Sequence, residues 1–373
     1  MSIVESKSRA ERQGREAPTL LVDTDVHEVL PGGAKALLPY LDKAWHRYVT
    51  GDGGDWPGLG ATGGFAKPIG KGGAREDWRL ADGTAGTDPS VLVRHLMDEE
   101  GTSLAILNGF FHVSRLDRDY EFMQALAMAY NDWQIDVWLQ HDPRICGSVH
   151  VVAHEPAVAA REIDRVAEHP QIVQVFLPTV TDRQYGDPYY RPIFEAAIRN
   201  DLVVTLHHSG QTETVGRPRY YIEWHAVAAA HSNQSQLVSL ICNGTFDKYP
   251  DLKVVFLETG VAWVPWLMWR LDQQYRELRA NVPWVKRLPS EHIRASVRVA
   301  TQPLDIAANH FEQLIEMSES EDVYVFSSDY PHWDADSATH VLRKLSEDTR
   351  SRIRYKNALE TFPRLKTLCP STA

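Results

Sequence analysis

Cysteine is scarce: Cys146, Cys242 and Cys369 are the only three in 373 residues, widely spaced and without a CxxC pair. That excludes a disulfide framework and a thiolate metal site, and it suits a reducing cytoplasm. Positive charge is also short, with 39 Lys and Arg against 50 Asp and Glu and a formal net charge of -11. A nucleic-acid partner and a basic membrane-binding surface are therefore not expected. No uninterrupted apolar run approaches the roughly 20 residues of a membrane helix. The opening MSIVESKSRAERQGREAP carries no apolar signal core, so residues 1–18 read as a flexible lead-in. The rest is ordinary for a soluble globular chain, 43% hydrophobic and 24% charged, long enough for one large barrel or two medium domains.

One stretch stands out, Leu20-Leu21-Val22-Asp23-Thr24-Asp25-Val26-His27-Glu28. Apolar and polar residues alternate as in a half-buried strand, which puts Asp23, Asp25 and His27 on one face. Three ionisable groups on one buried face need compensation, and a bound cation supplies it by turning carboxylate repulsion into coordination. A strand end with ordinary hydrogen-bonded Asp and His is the plainer alternative. By parity Glu28 faces away, as a cap or surface residue, and Asp23 lies deeper, as support for the ligands above it.

Downstream, Ala34 to Tyr48 reads as a short helix and connector. Residues 51–88 then hold 12 of the 23 glycines together with Trp56, Phe65 and Trp78. An insertion that long is a lid or a surface loop. From Pro89 helices and strands alternate regularly: helices at 91–100, 120–140, 156–169, 192–200, 220–242 and 263–279, strands at 103–107, 145–152, 172–177, 202–207, 251–258, 297–301 and 323–328. Eight strands alternating with helices predict a (β/α)8 TIM barrel over residues 19–373, with the Gly-rich loop inserted after the first strand. An open doubly wound sheet is the runner-up, but no GxGxxG follows any strand. In the helix at 263–279, Trp263, Trp266, Leu267 and Trp269 read as a core stripe.

Barrel chemistry sits at the C-terminal strand ends. Here strand one ends in Asp25 and His27, strand five in His207 and His208, strand six in Glu258, strand eight in Asp329 and His332. Carboxylates and imidazoles are divalent-metal ligands, and four such ends meet at one barrel face. His208 points to the other side of its strand and reads as packing, or as a hydrogen-bond partner of a ligand, rather than as a ligand. His150 and His154 read as structural or pocket-lining residues.

The segments VDTDVH, AYNDW (129–133), FDKYPDLKVVFLETGVAWVPW (246–266) and FSSDYPHWD (326–334) resemble the amidohydrolase superfamily, in its aminocarboxymuconate semialdehyde decarboxylase branch. The resemblance implies a barrel with a divalent metal at its mouth, bound from strands one, five and eight. The chain departs from that pattern at Asp25 and Glu258, which replace family histidines, and at Gln174-Val175-Phe176-Leu177-Pro178, which lacks the lysine of two-metal hydrolases. Carboxylates in place of imidazoles favour harder ions such as iron or manganese over zinc.

With His225 and His332 able to complete a second position and Glu258 bridging, the pattern resembles dinuclear non-heme iron or iron–manganese monooxygenases of this fold, the α-aminoisobutyrate hydroxylase and platensimycin-pathway diterpenoid hydroxylase type. That resemblance implies two divalent ions held by Asp25, His27, His207, His225, Glu258, Asp329 and His332, with His225, His332 and Glu258 also in the chemistry. It further implies a small-molecule substrate, dioxygen, and an external reductase with its electron carrier. The competing expectation is a hydrolase or non-oxidative decarboxylase with a single zinc or manganese. A non-catalytic accessory subunit is a third. A homo-oligomer is expected by analogy with the fold.

Overall fold

The structure is a computed structural model, which describes residues 20–51, 73–109, 119–208 and 218–369. Eight parallel strands follow one another around a single sheet in chain order: β1 (Val22–Val26), β2 (Leu104–Leu107), β3 (Ile145–His150), β4 (Ile172–Pro178), β5 (Val203–His207), β6 (Val254–Leu257), β7 (Val297–Ala300) and β8 (Tyr324–Val325). The ring closes between its last and first members. Thr24 N donates to the Phe326 carbonyl (3.1 Å), Asp329 N to that of Asp25 (3.0 Å), and His27 N to that of Tyr330 (2.7 Å). The expected (β/α)8 barrel is the fold.

The strands are short and wholly buried, as both faces of a helix-wrapped parallel sheet require. Outward-facing residues such as Val175, Val204 and Phe256 pack under the helices. Inside, Val22, Leu104, Cys146, Val173, Val203 and Val255 form an apolar floor. The chain's last turns close that floor from below, where Ala358, Phe362 and Leu365 join the same cluster.

Several elements depart from the sequence pattern. Helix Tyr120–Trp133 widens into a π-helical turn over Gln134–Leu139, which turns Gln134 inward to meet Glu28 and the Ser148 amide. The predicted helix at 220–242 is two helices, Tyr221–His225 and Ala228–Cys242. The first predicted helix is a string of short 3-10 turns ending in His46–Thr50. Of the inserted loop, residues 52–72 with Trp56 and Phe65 lie outside the described residues. Its later part runs along the segment after β8: Arg75 N donates to the Pro331 carbonyl, and Trp78 is buried with its ring 4.7 Å from that of Tyr330.

Trp266 and Trp269 correct the core stripe. Trp263 and Leu267 are buried, but Trp266 and Trp269 are 54% and 55% exposed. Both pairs have helical spacing, and the outer pair lies on the solvent side.

Because Phe362 seals the floor with no exposed ring surface, Phe362→Ala is expected to cost about 3–5 kcal/mol of stability. Urea denaturation of the two proteins measures it, and an unchanged midpoint would show that the floor does not depend on this segment.

Candidate metal centre

All seven ligand candidates meet at the C-terminal mouth of the barrel. Asp25, His27 and His207 bring one donor atom each to within 4.8 Å of one another, and so do His27, Asp329 and His332. His207, His208 and Glu258 form a third such group, and His225, Glu258 and Asp334 a fourth. His27 Nε2 is 2.9 Å from Asp329 Oδ1 and 3.3 Å from Asp25 Oδ1. His207 Nε2 is 3.2 Å from Glu258 Oε2 and 3.9 Å from Asp25 Oδ2. His332 Nδ1 is 2.7 Å from Asp329 Oδ1. His225 Nε2 lies 3.5 Å from Asp334 Oδ2 and 3.8 Å from Glu258 Oε1.

Local backbone irregularities aim these groups. The pairing register of β1 on β2 shifts between Asp23 and Val26, so strict alternation does not run through the strand. Asp23 consequently lines a small cavity with Leu21, Trp78, Leu96 and Phe326, and accepts hydrogen bonds from the amides of Ser328 (2.9 Å) and Asp25 (3.3 Å). It supports the site from behind, as expected, though not on the shared face assumed for it. Glu258 (φ 47°) and Asp329 (φ 62°) both have left-handed backbones. For a residue with a Cβ this costs on the order of 1–3 kcal/mol, a strain that the closed barrel sustains.

Burial governs the electrostatics. Asp25 and Asp329 are fully buried, and desolvation raises their carboxyls above the usual range despite the neighbouring histidines. Burial pushes the His27 imidazole down to about 3, so it is neutral and ready to donate a lone pair. For His207 burial acts in the same direction, but the Glu258 hydrogen bond and the Asp25 charge outweigh it and lift the imidazole to about 9. Burial likewise opposes protonation of His332, and Asp329 overrides it, to about 10. Both β1 and β5 imidazoles are oriented through Nδ1, His27 towards the Asn108 carbonyl (3.0 Å) and His207 towards that of His208 (2.5 Å), so each Nε2 faces the centre.

Asp25 Oδ2, Asp329 Oδ2 and Asp334 Oδ2 are buried and accept no hydrogen bond. Acceptor oxygens left so, gathered around imidazole nitrogens, are what a divalent cation would satisfy; the residues present fit a metal.

The structure adds two residues and corrects one. His208 lies just beyond β5, where alternation no longer applies; of its two expected roles the geometry agrees with the hydrogen bond to a ligand candidate, its Nε2 being 2.5 Å from Glu258 Oε2. Asp334 was missed although it ends the FSSDYPHWD segment. Glu28 is neither cap nor surface residue. It is buried, its Oε1 accepts from Tyr130 Oη and Gln134 Nε2 at 2.5 Å each, and desolvation lifts it to about 7. His150 is buried against Tyr130 and Phe176, and His154 pairs with Asp182 at 3.4 Å; neither joins the cluster.

Residues 22–364 match the family model described as Amidohydrolase. A curated relative, the gamma-resorcylate decarboxylase of Polaromonas sp., is 22% identical over 280 residues, covering 72% of this chain and 85% of that one. The crystal structure of 5-carboxyvanillate decarboxylase from Sphingomonas paucimobilis superposes with a TM-score of 0.66 at 22% identity, covering 92% of this chain and 99% of the other. The dihydroxybenzoic acid decarboxylase of Polaromonas sp., solved with bound manganese and 2-nitroresorcinol, gives 0.65 at 19% identity, covering 92% and 97%. An amidohydrolase from Mycobacterium avium subsp. paratuberculosis gives 0.71 at 20% identity, covering 93% and 100%.

These likenesses support the fold and overturn one expectation. The relatives with a named activity are decarboxylases, none an oxygenase, so the dinuclear iron monooxygenase reading is withdrawn. With it go the iron pair, dioxygen, and the reductase with its electron carrier. Among the described residues no helix is long and apolar enough to cross a membrane.

Two outcomes follow. Protonated His207 stabilises the metal-free protein fully below its unfolded value of about 6.5, and that stability is lost as pH rises through about 9. Between pH 6.5 and 9 the melting temperature of metal-free protein is therefore expected to fall, and to fall less in His207→Gln. Manganese affinity should rise across the same window, because binding displaces the proton. A flat melting profile in the wild-type protein would refute this account of His207.

Proposed function

This chain belongs to the amidohydrolase family, and we propose that it is a metal-dependent, non-oxidative decarboxylase of a small aromatic carboxylic acid. The observation that carries the proposal is the buried donor set of Asp25, His27, His207 and Asp329, whose unsatisfied carboxylate oxygens face oriented imidazoles. The named activities of the relatives, and the manganese in one of them, agree with it. Mixed carboxylate and imidazole ligands suit a single manganese or zinc.

Asp25, His27, His207 and Asp329 would hold the ion, with Glu258 as a further donor. When bound, the ion supplies positive charge that holds and polarises the substrate's carboxylate and an adjacent hydroxyl. The reaction itself breaks the carbon–carboxylate bond: its electron pair stays on the ring carbon, carbon dioxide leaves, and a proton takes the vacated position.

His225 is placed to hold that proton. It sits at the end of helix Tyr221–His225, and although burial opposes its charge, Glu258 and Asp334 raise its pKa. The proton on Nε2 then lies between Glu258 and Asp334, at the edge of the metal site. Trp333 and Tyr221 pack beside it, with ring centroids 5.7 and 5.3 Å from that of His225. His332 serves to position Asp329, to which it is hydrogen bonded.

Manganese-loaded enzyme under argon is expected to release carbon dioxide from members of a hydroxybenzoic acid panel that includes γ-resorcylate and 5-carboxyvanillate. His225→Gln should lower kcat by about 100- to 10,000-fold while leaving manganese content unchanged. Absence of carbon dioxide from every member, with metal bound, would refute the decarboxylase reading. Hydrolysis of an ester or amide by the same preparation would replace it with the hydrolase alternative.

A further inference from the structure

Above the apolar floor and below the metal centre, the barrel interior is crossed by a hydrogen-bonded row of neutral side chains: Asn108, Ser148, Gln174 and Thr205, all fully buried. Filling space does not require them, since the layer beneath is built from Ile106, Cys146, Val173 and Val203. We propose that Asn108 is the positioning residue for both β1 metal ligands, and that Gln174 and Thr205 fix which way its amide points. This rests on the metal-centre reading given above.

Asn108 follows β2 directly and meets the β1 segment with three groups, the first its backbone N–H, which donates to the Val26 carbonyl (2.7 Å). Its backbone carbonyl accepts from His27 Nδ1 (3.0 Å), which places the imidazole proton away from the site. Its Nδ2 donates to Asp25 Oδ1 (2.9 Å) and to the Thr24 carbonyl (3.0 Å). With Asp25 Oδ1 held in this way, Oδ2 is left free of hydrogen bonds on the side of His207.

The orientation of the row follows from its end groups. The Thr24 carbonyl and the Asp25 carboxylate can only accept, so the NH2 of Asn108 must face β1 and its Oδ1 must face the interior. Gln174 Nε2 donates to that Oδ1 (2.5 Å), which turns Gln174 Oε1 towards β5. There Thr205 Oγ1 donates to it (2.6 Å). Ser148 Oγ braces the middle, 3.0 Å from Asn108 Oδ1 and 2.9 Å from Gln174 Nε2. Reversing Asn108 would set its Oδ1 against two acceptors and its NH2 against the Gln174 amide. A hydroxyl on β5 thus holds the orientation of a carboxylate on β1, through two amides and no charge.

The test reads metal affinity rather than turnover. Metal-free wild-type protein and Asn108→Leu, a near-isosteric change that keeps the backbone carbonyl, are titrated with Mn2+. The free-ion electron paramagnetic resonance signal reports binding, and circular dichroism the folded fraction. Asn108→Leu is expected to raise the manganese Kd by about 10- to 100-fold, the usual effect of losing a partner that orients a ligand. In an Asp25→Ala background, which leaves the Asn108 amide no side-chain acceptor at this position, the same change should shift Kd by less than about 3-fold, because the two residues act through one bond.

Gln174→Leu leaves Asn108 in place and should weaken binding about 3- to 10-fold; it carries the test if Asn108→Leu does not fold. A merely structural role would lower the melting temperature of the metal-free protein and leave the Kd of the folded fraction unchanged. That result, or an undiminished effect in the Asp25→Ala background, overturns the proposal while leaving the metal centre standing. Wild-type protein that binds no manganese would overturn both.

Discussion

The rest of the structure depends on the cost of holding carboxylates and imidazoles out of water. Asp25, His27, His207 and Asp329 have almost no exposed surface. Burial disfavours Asp25 and Asp329 as anions and His27 as a cation, so without a metal these groups are driven towards their neutral forms and the carboxylates are costly to keep ionised. A divalent cation resolves that conflict at one point, which is why the donors come from three different strands and converge. No single strand could bring them together; only a closed barrel does. The floor, the helix layer and the strand order therefore serve one arrangement at the mouth.

Four irregular features fall where side chains must be aimed. Glu258 and Asp329 leave their strands in left-handed conformations, β1 shifts its register just before Asp25, and a helix widens at Gln134 to meet β1 and β3. Each is unfavourable or unusual locally. Each sits beside a residue of the metal centre or one hydrogen-bonded into its surroundings, as expected where packing elsewhere sustains strain for a function.

Much of this was legible in the sequence. Short apolar strands separated by helical patterns gave the barrel, and the rule that chemistry lies at strand ends led to Asp25, His27, His207, Glu258 and Asp329. What failed has physical causes. Period-two alternation was extended through the register shift of β1, which misplaced Asp23. Glu28 was read as outward because its partners, Tyr130 and Gln134, come from a helix 102 and 106 positions away. Spacing put Trp266 and Trp269 on one helical face without saying that the face is solvent. Carboxylates in place of imidazoles point to iron and manganese alike, so they do not by themselves separate dioxygen chemistry from decarboxylation. Ligand type narrowed the ion and did not determine the reaction.

The closure of the ring has a consequence for biosynthesis. Thr24 bonds to Phe326, 302 positions later, and the floor under β1 is completed by Phe362 and Leu365. A ribosome adding about 5–20 residues per second needs roughly 15–60 s to bring that partner out after β1 has emerged. Through that interval the nascent chain carries an unpaired strand edge bearing its first two candidate metal ligands. Cellular folding of this protein is thus a problem of guarding its beginning until its end exists, a task suited to a chaperone that holds strand edges or to a metal supply that arrives after release.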